Sequence, residues 1–128
     1  MPKVKIDIPA GLPVPRGAYS MALRAGDFVY VAGQSARDQD LNVIGDSIEE
    51  QVRVTIANVA GMLEAAGASW ADVVQSTVHL ADLGQFRAYD AVYAGLVPQP
   101  YPVRTTVGSV LAPGILVEID VVAYVGAR

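Results

Sequence analysis

Cysteine is absent from this chain of 128 residues, which excludes disulfides, thiolate nucleophiles and cysteine-ligated zinc. Histidine occurs once, at His79, so the multiple imidazoles of an ordinary catalytic zinc site are missing as well. No apolar run approaches the roughly 18 residues a membrane span requires, and Met1-Pro2-Lys3-Val4-Lys5 has no apolar signal-peptide core; a cytoplasmic protein is expected. Charge is also scarce, at 17% of residues against an average of about 25%. The nine basic residues are scattered singly within a net charge of −4, which makes nucleic acid a poor partner. There is no internal repeat, phosphate-binding glycine loop, dinucleotide fingerprint or Ser/His/Asp signature.

What is abundant is apolar surface. Hydrophobic residues make up 52% of a chain whose length suits a single domain spanning 1–128, more than one small core usually hides, and oligomerisation is the expected outlet.

The pattern along the chain predicts the order βββαβαββ. A short strand lies within Lys3 to Ile8, followed by a loop broken by Pro9, Pro13 and Pro15. Tyr19 to Leu23 and Phe28 to Ala32 read as a hairpin around Arg24-Ala25-Gly26-Asp27. Ser47 with Glu50 three residues later is a capping-box signature, each side chain serving the other's free amide. Ile48, Val52, Ile56, Val59, Ala60, Leu63 and Ala66 then form one apolar helical stripe that Gly67 closes, with Glu49, Glu50, Arg53, Asn58 and Glu64 facing solvent. Val73 to Ala81 alternates as a strand, and Leu83 to Leu96 is a second helix with a stripe of Phe86, Tyr89, Val92, Tyr93 and Leu96. Val103 to Leu111 and Ile115 to Val125 are expected as two strands joined at Pro113-Gly114. This order suggests an α+β fold, one mixed sheet with both helices on a single face and the other face covered by neighbouring subunits.

Two strands carry the chemistry. Arg104 shares a face with Thr106 in a β-prone stretch and supports two readings: a planar clamp for a carboxylate or phosphate, or a strand-end arginine paired with a surface carboxylate. On the last strand, Glu118 and Asp120 share a face with Leu116, Val122 and Tyr124, while Val117, Ile119, Val121 and Ala123 form the core face. Glu118 is either a general acid or base or an interface carboxylate. Were the last two strands a hairpin, a two-residue loop would put Arg104 and Glu118 on opposite faces, and three or five residues would put them on the same one. Even then Arg104 would lie about 13 Å along the sheet. His79 reads as an exposed or hydrogen-bonded structural residue. The six tyrosines read as core or interface residues, with Tyr19, after Gly17-Ala18 at the mouth of a strand, carried as a candidate. Gly33 either ends a strand or lets a ligand approach the backbone.

Nearly the whole chain resembles the Rid (YjgF) family of reactive-intermediate, enamine/imine deaminases. The resemblance rests on the order and spacing of Gly17-Ala18-Tyr19-Ser20, Val31-Ala32-Gly33-Gln34, Glu50-Gln51 leading to Asn58, Ala65-Ala66-Gly67-Ala68-Ser69, Val103-Arg104-Thr105-Thr106-Val107 and Val117-Glu118-Ile119. It implies a chorismate-mutase-like fold and a homotrimer with sites in the clefts between subunits. It also implies that Arg104 clamps a substrate carboxylate, that Tyr19, Gly33 and Thr106 line the cleft, and that Glu118 activates water. The implied reaction hydrolyses 2-imino acids and their 2-enamine tautomers to 2-oxo acids and ammonia, with no metal or organic cofactor. A non-catalytic carboxylate-binding trimer would use the same pocket, and the endoribonuclease or translation-inhibitor role ascribed to some members fits the acidic charge poorly. Ala32 stands where a serine is usual, Thr106 where a cysteine is frequent and Asp90 where an asparagine is frequent. These departures leave room for a divergent subgroup acting on another imine or an acyl-enamine rather than 2-aminoacrylate.

Overall fold

A computed structural model describes residues 2–126. Six strands form one sheet in the order β1-β2-β3-β6-β4-β5, with β1 Val4–Lys5, β2 Ala22–Ala25, β3 Phe28–Gln34, β4 Val73–Leu80, β5 Val103–Gly108 and β6 Val117–Tyr124. Only β4 and β5 run parallel, so the sheet is mixed as expected. Helices α1 (Ile48–Ala65) and α2 (Phe86–Leu96) pack on each other on one face of this sheet, giving the α+β architecture. No helix among the described residues is long and apolar enough to cross a membrane.

The core lies between helices and sheet. Val52, Val59, Met62 and Leu63 of α1 meet Val29, Val78, Val117, Ile119 and Val121 of the sheet, all essentially without solvent contact. Each buried aliphatic side chain contributes about 1.5–3 kcal/mol by leaving water. The opposite sheet face is open and carries the exposed apolar side chains of Phe28, Tyr30, Tyr124, Val103 and Val107 beside the polar His79, Glu118 and Asp120.

Local chemistry explains the element ends, with several departures from the sequence pattern. The first hairpin turns on two residues, Gly26 and Asp27, because Ala25 already pairs with Phe28 and Gly26 supplies a φ of +60°. The amide of Glu50 donates to Ser47 Oγ at 3.1 Å, but the Glu50 carboxylate accepts from the Ser47 hydroxyl at 3.4 Å, not from its amide. Gly67, at φ +78°, ends α1 in the left-handed region, and Ala68 N–H reaches back to the Leu63 carbonyl. Asn58 is buried rather than solvent-facing; its side-chain amide donates to the carbonyls of Ser35 and Arg37 at 2.9 Å each. Those carbonyls belong to the loop after β3, which folds back on itself through the Arg37–Val43 bridge and which Asn58 ties to α1. The second helix begins as a 3-10 turn over Leu83–Gln85, whose Gly84 amide is capped by Asp82.

The largest correction concerns the last two strands. They do not form a hairpin: β6 inserts between β3 and β4, and β5 lies parallel to β4 at the sheet edge. The physical reason is burial. β6 carries Val117, Ile119, Val121 and Ala123 on one face, the most continuous apolar face among the strands, and takes a central position. The threonine-bearing β5 returns beside β4 through a crossover containing α2, as parallel neighbours require.

Candidate functional site

Register fixes where the candidate residues point. Arg104 pairs with Ser76 and Ser76 with Val121, placing Arg104 on the helix-covered face, while His79 pairs with both Val107 and Glu118, placing Glu118 on the open face. Within one chain the two residues therefore stand on opposite sides of the sheet. Loop length has no bearing on this, because β4 separates their strands.

Arg104 is held by α2. Its Nη1 donates to Asp90 Oδ1 at 2.8 Å, and its guanidinium carbon lies 4.8, 5.0 and 5.5 Å from the ring centroids of Tyr93, Tyr89 and Phe86. The ring positions are themselves set: the Tyr93 hydroxyl bonds Ser76 Oγ at 2.7 Å and the Tyr89 hydroxyl bonds Thr106 Oγ1 at 2.9 Å. Burial raises the pKa of both phenols, so both stay neutral near pH 7. An open recess of about 320 Å³ lies beside this cluster, lined by Asp90, Tyr93, Ala94, Tyr101, Pro102 and Arg104. Both readings of Arg104 thus have a physical basis: it is ion-paired, and it stands at a cavity.

Glu118 occupies a second cavity of about 510 Å³, whose lining also includes Tyr19, Gly33, Gln34, Arg16 and Arg37. A Cβ on Gly33 would lie 2.7 Å from Glu118 Oε2, so the glycine leaves the space that the carboxylate fills. Gln34 is buried here, its side-chain amide donating to the Ala32 carbonyl at 3.0 Å. Among the five sequence candidates, Tyr19, Gly33 and Glu118 come together in one cavity and Arg104 stands at the other, while Thr106 is in neither lining and reaches the Arg104 cluster only through its bond to Tyr89.

His79 bonds Ser109 Oγ through Nδ1 at 2.8 Å and lies 4.0 Å from Asp120, as a structural histidine would. Partial burial raises the pKa of Asp120, with the nearby His79 opposing the shift. A carboxyl whose folded pKa is raised binds more protons folded than unfolded, so it costs stability progressively as pH rises through that window. Asp120→Asn should therefore raise the melting temperature relative to the native chain more at pH 6 than at pH 3.5, as measured by thermal melts across that range.

The sequence pattern identified Phe86, Tyr89 and Tyr93 only as a core stripe. Their second role, walling a guanidinium, depends on β5 lying beneath α2. Asp90 carried a usable signal: it is the acidic group four residues after Phe86 and three before Tyr93, on their side of the helix.

A family model described as Endoribonuclease L-PSP matches residues 11–125. The chain belongs to the Rid/YjgF family. A RutC family protein of Pyrococcus abyssi is 39% identical over 88% of this chain and 90% of its own length. The chloroplastic Reactive Intermediate Deaminase A of Arabidopsis thaliana is 31% identical over 87% of this chain and 60% of its own. Among solved structures, E. coli TdcF with bound serine superposes with a TM-score of 0.86 at 27% identity, covering 94% of this chain and 97% of that one. In this Rid-family chain the two candidate clusters are built on the shared fold: one on the β5 edge under α2, the other on the open face beside the bulge between Val31 and Gln34.

Proposed function

We propose that the protein is a hydrolytic deaminase of 2-imino and 2-enamino acids, acting as a homotrimer in which the Arg104 recess of one subunit meets the Glu118 cavity of a neighbour. The observation that carries this reading is the separation of the two clusters onto opposite sheet faces, each at an open cavity, which fits two halves of a site joined between subunits. β5 is an edge strand and the open face exposes several large apolar side chains, so a rotationally related copy can cover that face and join the halves. The Arabidopsis relative's name and the serine held by TdcF support a small, amino-acid-like ligand.

In this mechanism the substrate carboxylate docks on the free N–H edge of Arg104 by charge-assisted hydrogen bonds. Water in the neighbouring cavity adds its oxygen to the iminium carbon while Glu118 takes a proton from it. Glu118 passes that proton to nitrogen, and the C–N bond of the carbinolamine breaks with its electron pair leaving on nitrogen. The remaining hydroxyl proton returns through Glu118, so that iminium and water become 2-oxo acid and ammonium. The chain's task is orientation and proton transfer, worth about 10² to 10⁴ for the second.

A flavin amino-acid oxidase can generate imines from a panel of amino acids, with semicarbazide trapping to report their lifetimes. The native protein should shorten the lifetime of at least one imine, and Glu118→Gln should slow that hydrolysis by on the order of 100-fold. Unchanged lifetimes across the panel overturn the proposal. Thermal stabilisation by 2-oxo acids without turnover would instead favour a carboxylate-binding trimer. An endoribonuclease role fits the net charge of −4 poorly, since an acidic surface repels a phosphate backbone.

A further inference from the structure

Asp90 sits beside Arg104 in a way that a carboxylate clamp by itself does not require. Only Oδ1 of Asp90 accepts from the guanidinium. No hydrogen bond to Oδ2 is found among the described residues, and the Asp90 side chain is 45% exposed at the recess it lines with Arg104. The recess therefore offers a ligand two complementary groups side by side: guanidinium N–H donors and a carboxylate acceptor. Elsewhere its wall is the Tyr93 and Tyr101 rings, Ala94 and Pro102, with no further charge.

We infer that Asp90 is a specificity-determining residue that binds the α-nitrogen of the ligand, so that the site selects molecules carrying a protonated nitrogen on the carbon next to the carboxylate. This rests on Arg104 holding the carboxylate. In an α-iminium acid the nitrogen and carboxylate are on adjacent carbons. A carboxylate docked next to Asp90 on the same guanidinium brings that N–H within hydrogen-bond reach of Oδ2, about 2.7–3.2 Å. The product differs at this position alone. Its ketone oxygen offers a lone pair where the substrate offered a donor, and an acceptor facing a carboxylate is repelled. Asp90 thus separates substrate from product by donor against acceptor, holding the first and hastening release of the second.

The test compares 2-aminobutanoate with 2-oxobutanoate, stable molecules of the same carbon skeleton, by calorimetric titration of the 128-residue chain near pH 7. The native chain should bind the amino acid about tenfold more tightly than the oxo acid. Asp90→Asn keeps an acceptor for Arg104 Nη1 on a half-exposed helix position, so the fold and the clamp persist. It should lower that ratio by tenfold or more, with affinity for the oxo acid rising. A role confined to holding Arg104 in place would weaken both ligands alike, and an unchanged ratio overturns the inference. Arg104→Ala separates the two levels. Loss of both ligands in that variant with no ratio change in Asp90→Asn sinks the role of Asp90 and leaves the clamp standing. Undiminished binding of both in Arg104→Ala overturns the clamp and this inference with it.

Discussion

Arg104→Ala is expected to abolish imine hydrolysis and to weaken binding of small 2-oxo acids by on the order of 100-fold, the loss of a charge-assisted pair worth about 3 kcal/mol. The effect should appear in KM as well as kcat, since the same contact binds the carboxylate and orients the reacting carbon. Arg104→Lys should not restore activity. An ammonium keeps the charge but loses the planar fork that can hold Asp90 and a ligand on different edges, and it stacks less well among Tyr93, Tyr89 and Phe86. Stability should fall by about 1–2 kcal/mol in Arg104→Ala, from the lost packing against the three rings, and by less in Arg104→Lys. The partner left behind, Asp90, is 45% exposed and can be resolvated, so the ion pair contributes only modestly to folding. Steady-state kinetics with oxidase-generated imines, paired with thermal melts, checks both halves; a large melting loss with retained turnover would reverse the assignment of Arg104 from function to structure.

The opposite profile is expected at Gln51, where Gln51→Leu should cost stability first. This side chain has no solvent contact and makes three bonds that join α1 to two loops. Its Nε2 donates to the carbonyls of Gly45 at 3.0 Å and Gly114 at 2.7 Å, and its Oε1 accepts from Leu116 N–H at 2.8 Å. Leucine fills similar space but leaves these backbone groups unsatisfied, at about 1–3 kcal/mol for each that stays buried. A loss of at least about 3 kcal/mol, or roughly 10 °C in melting temperature, should be visible in thermal melts. Glu49→Ala, on the exposed side of the same helix turn, should stay within about 0.5 kcal/mol. Because Ala112 and Ile115 line the Glu118 cavity, freeing the loop that Gln51 anchors should also reduce activity in the protein that remains folded.

Gln51 and Asn58 share a lesson about reading this chain. Both sit on α1 where periodicity distinguishes apolar from polar positions, yet both are buried. A polar residue faces inward when a distant carbonyl needs a donor, and the position of that carbonyl is a property of the folded loop. The same holds for α2, whose aromatic stripe was plain from its spacing while its contact with Arg104 was not. Spacing along one helix carries no record of which strand will lie beneath it.

The amino-acid pattern by itself determined the number, type and order of the elements and the apolar faces of α1 and β6, because side-chain periodicity and turn chemistry are local; the order and spacing of the motifs pointed to the family, and the element order suggested both helices on one side of the sheet. It also identified Arg104 and Thr106 as sharing a face. Only the tertiary structure decided that β6 inserts between β3 and β4, and therefore that Arg104 and Glu118 face opposite ways. Strand order is set by competition among whole elements for the central, doubly bonded position, a global balance of burial that no window of sequence contains. The Arg104–Asp90 pair follows from the same balance: it joins a strand and a helix that meet only after that competition is settled.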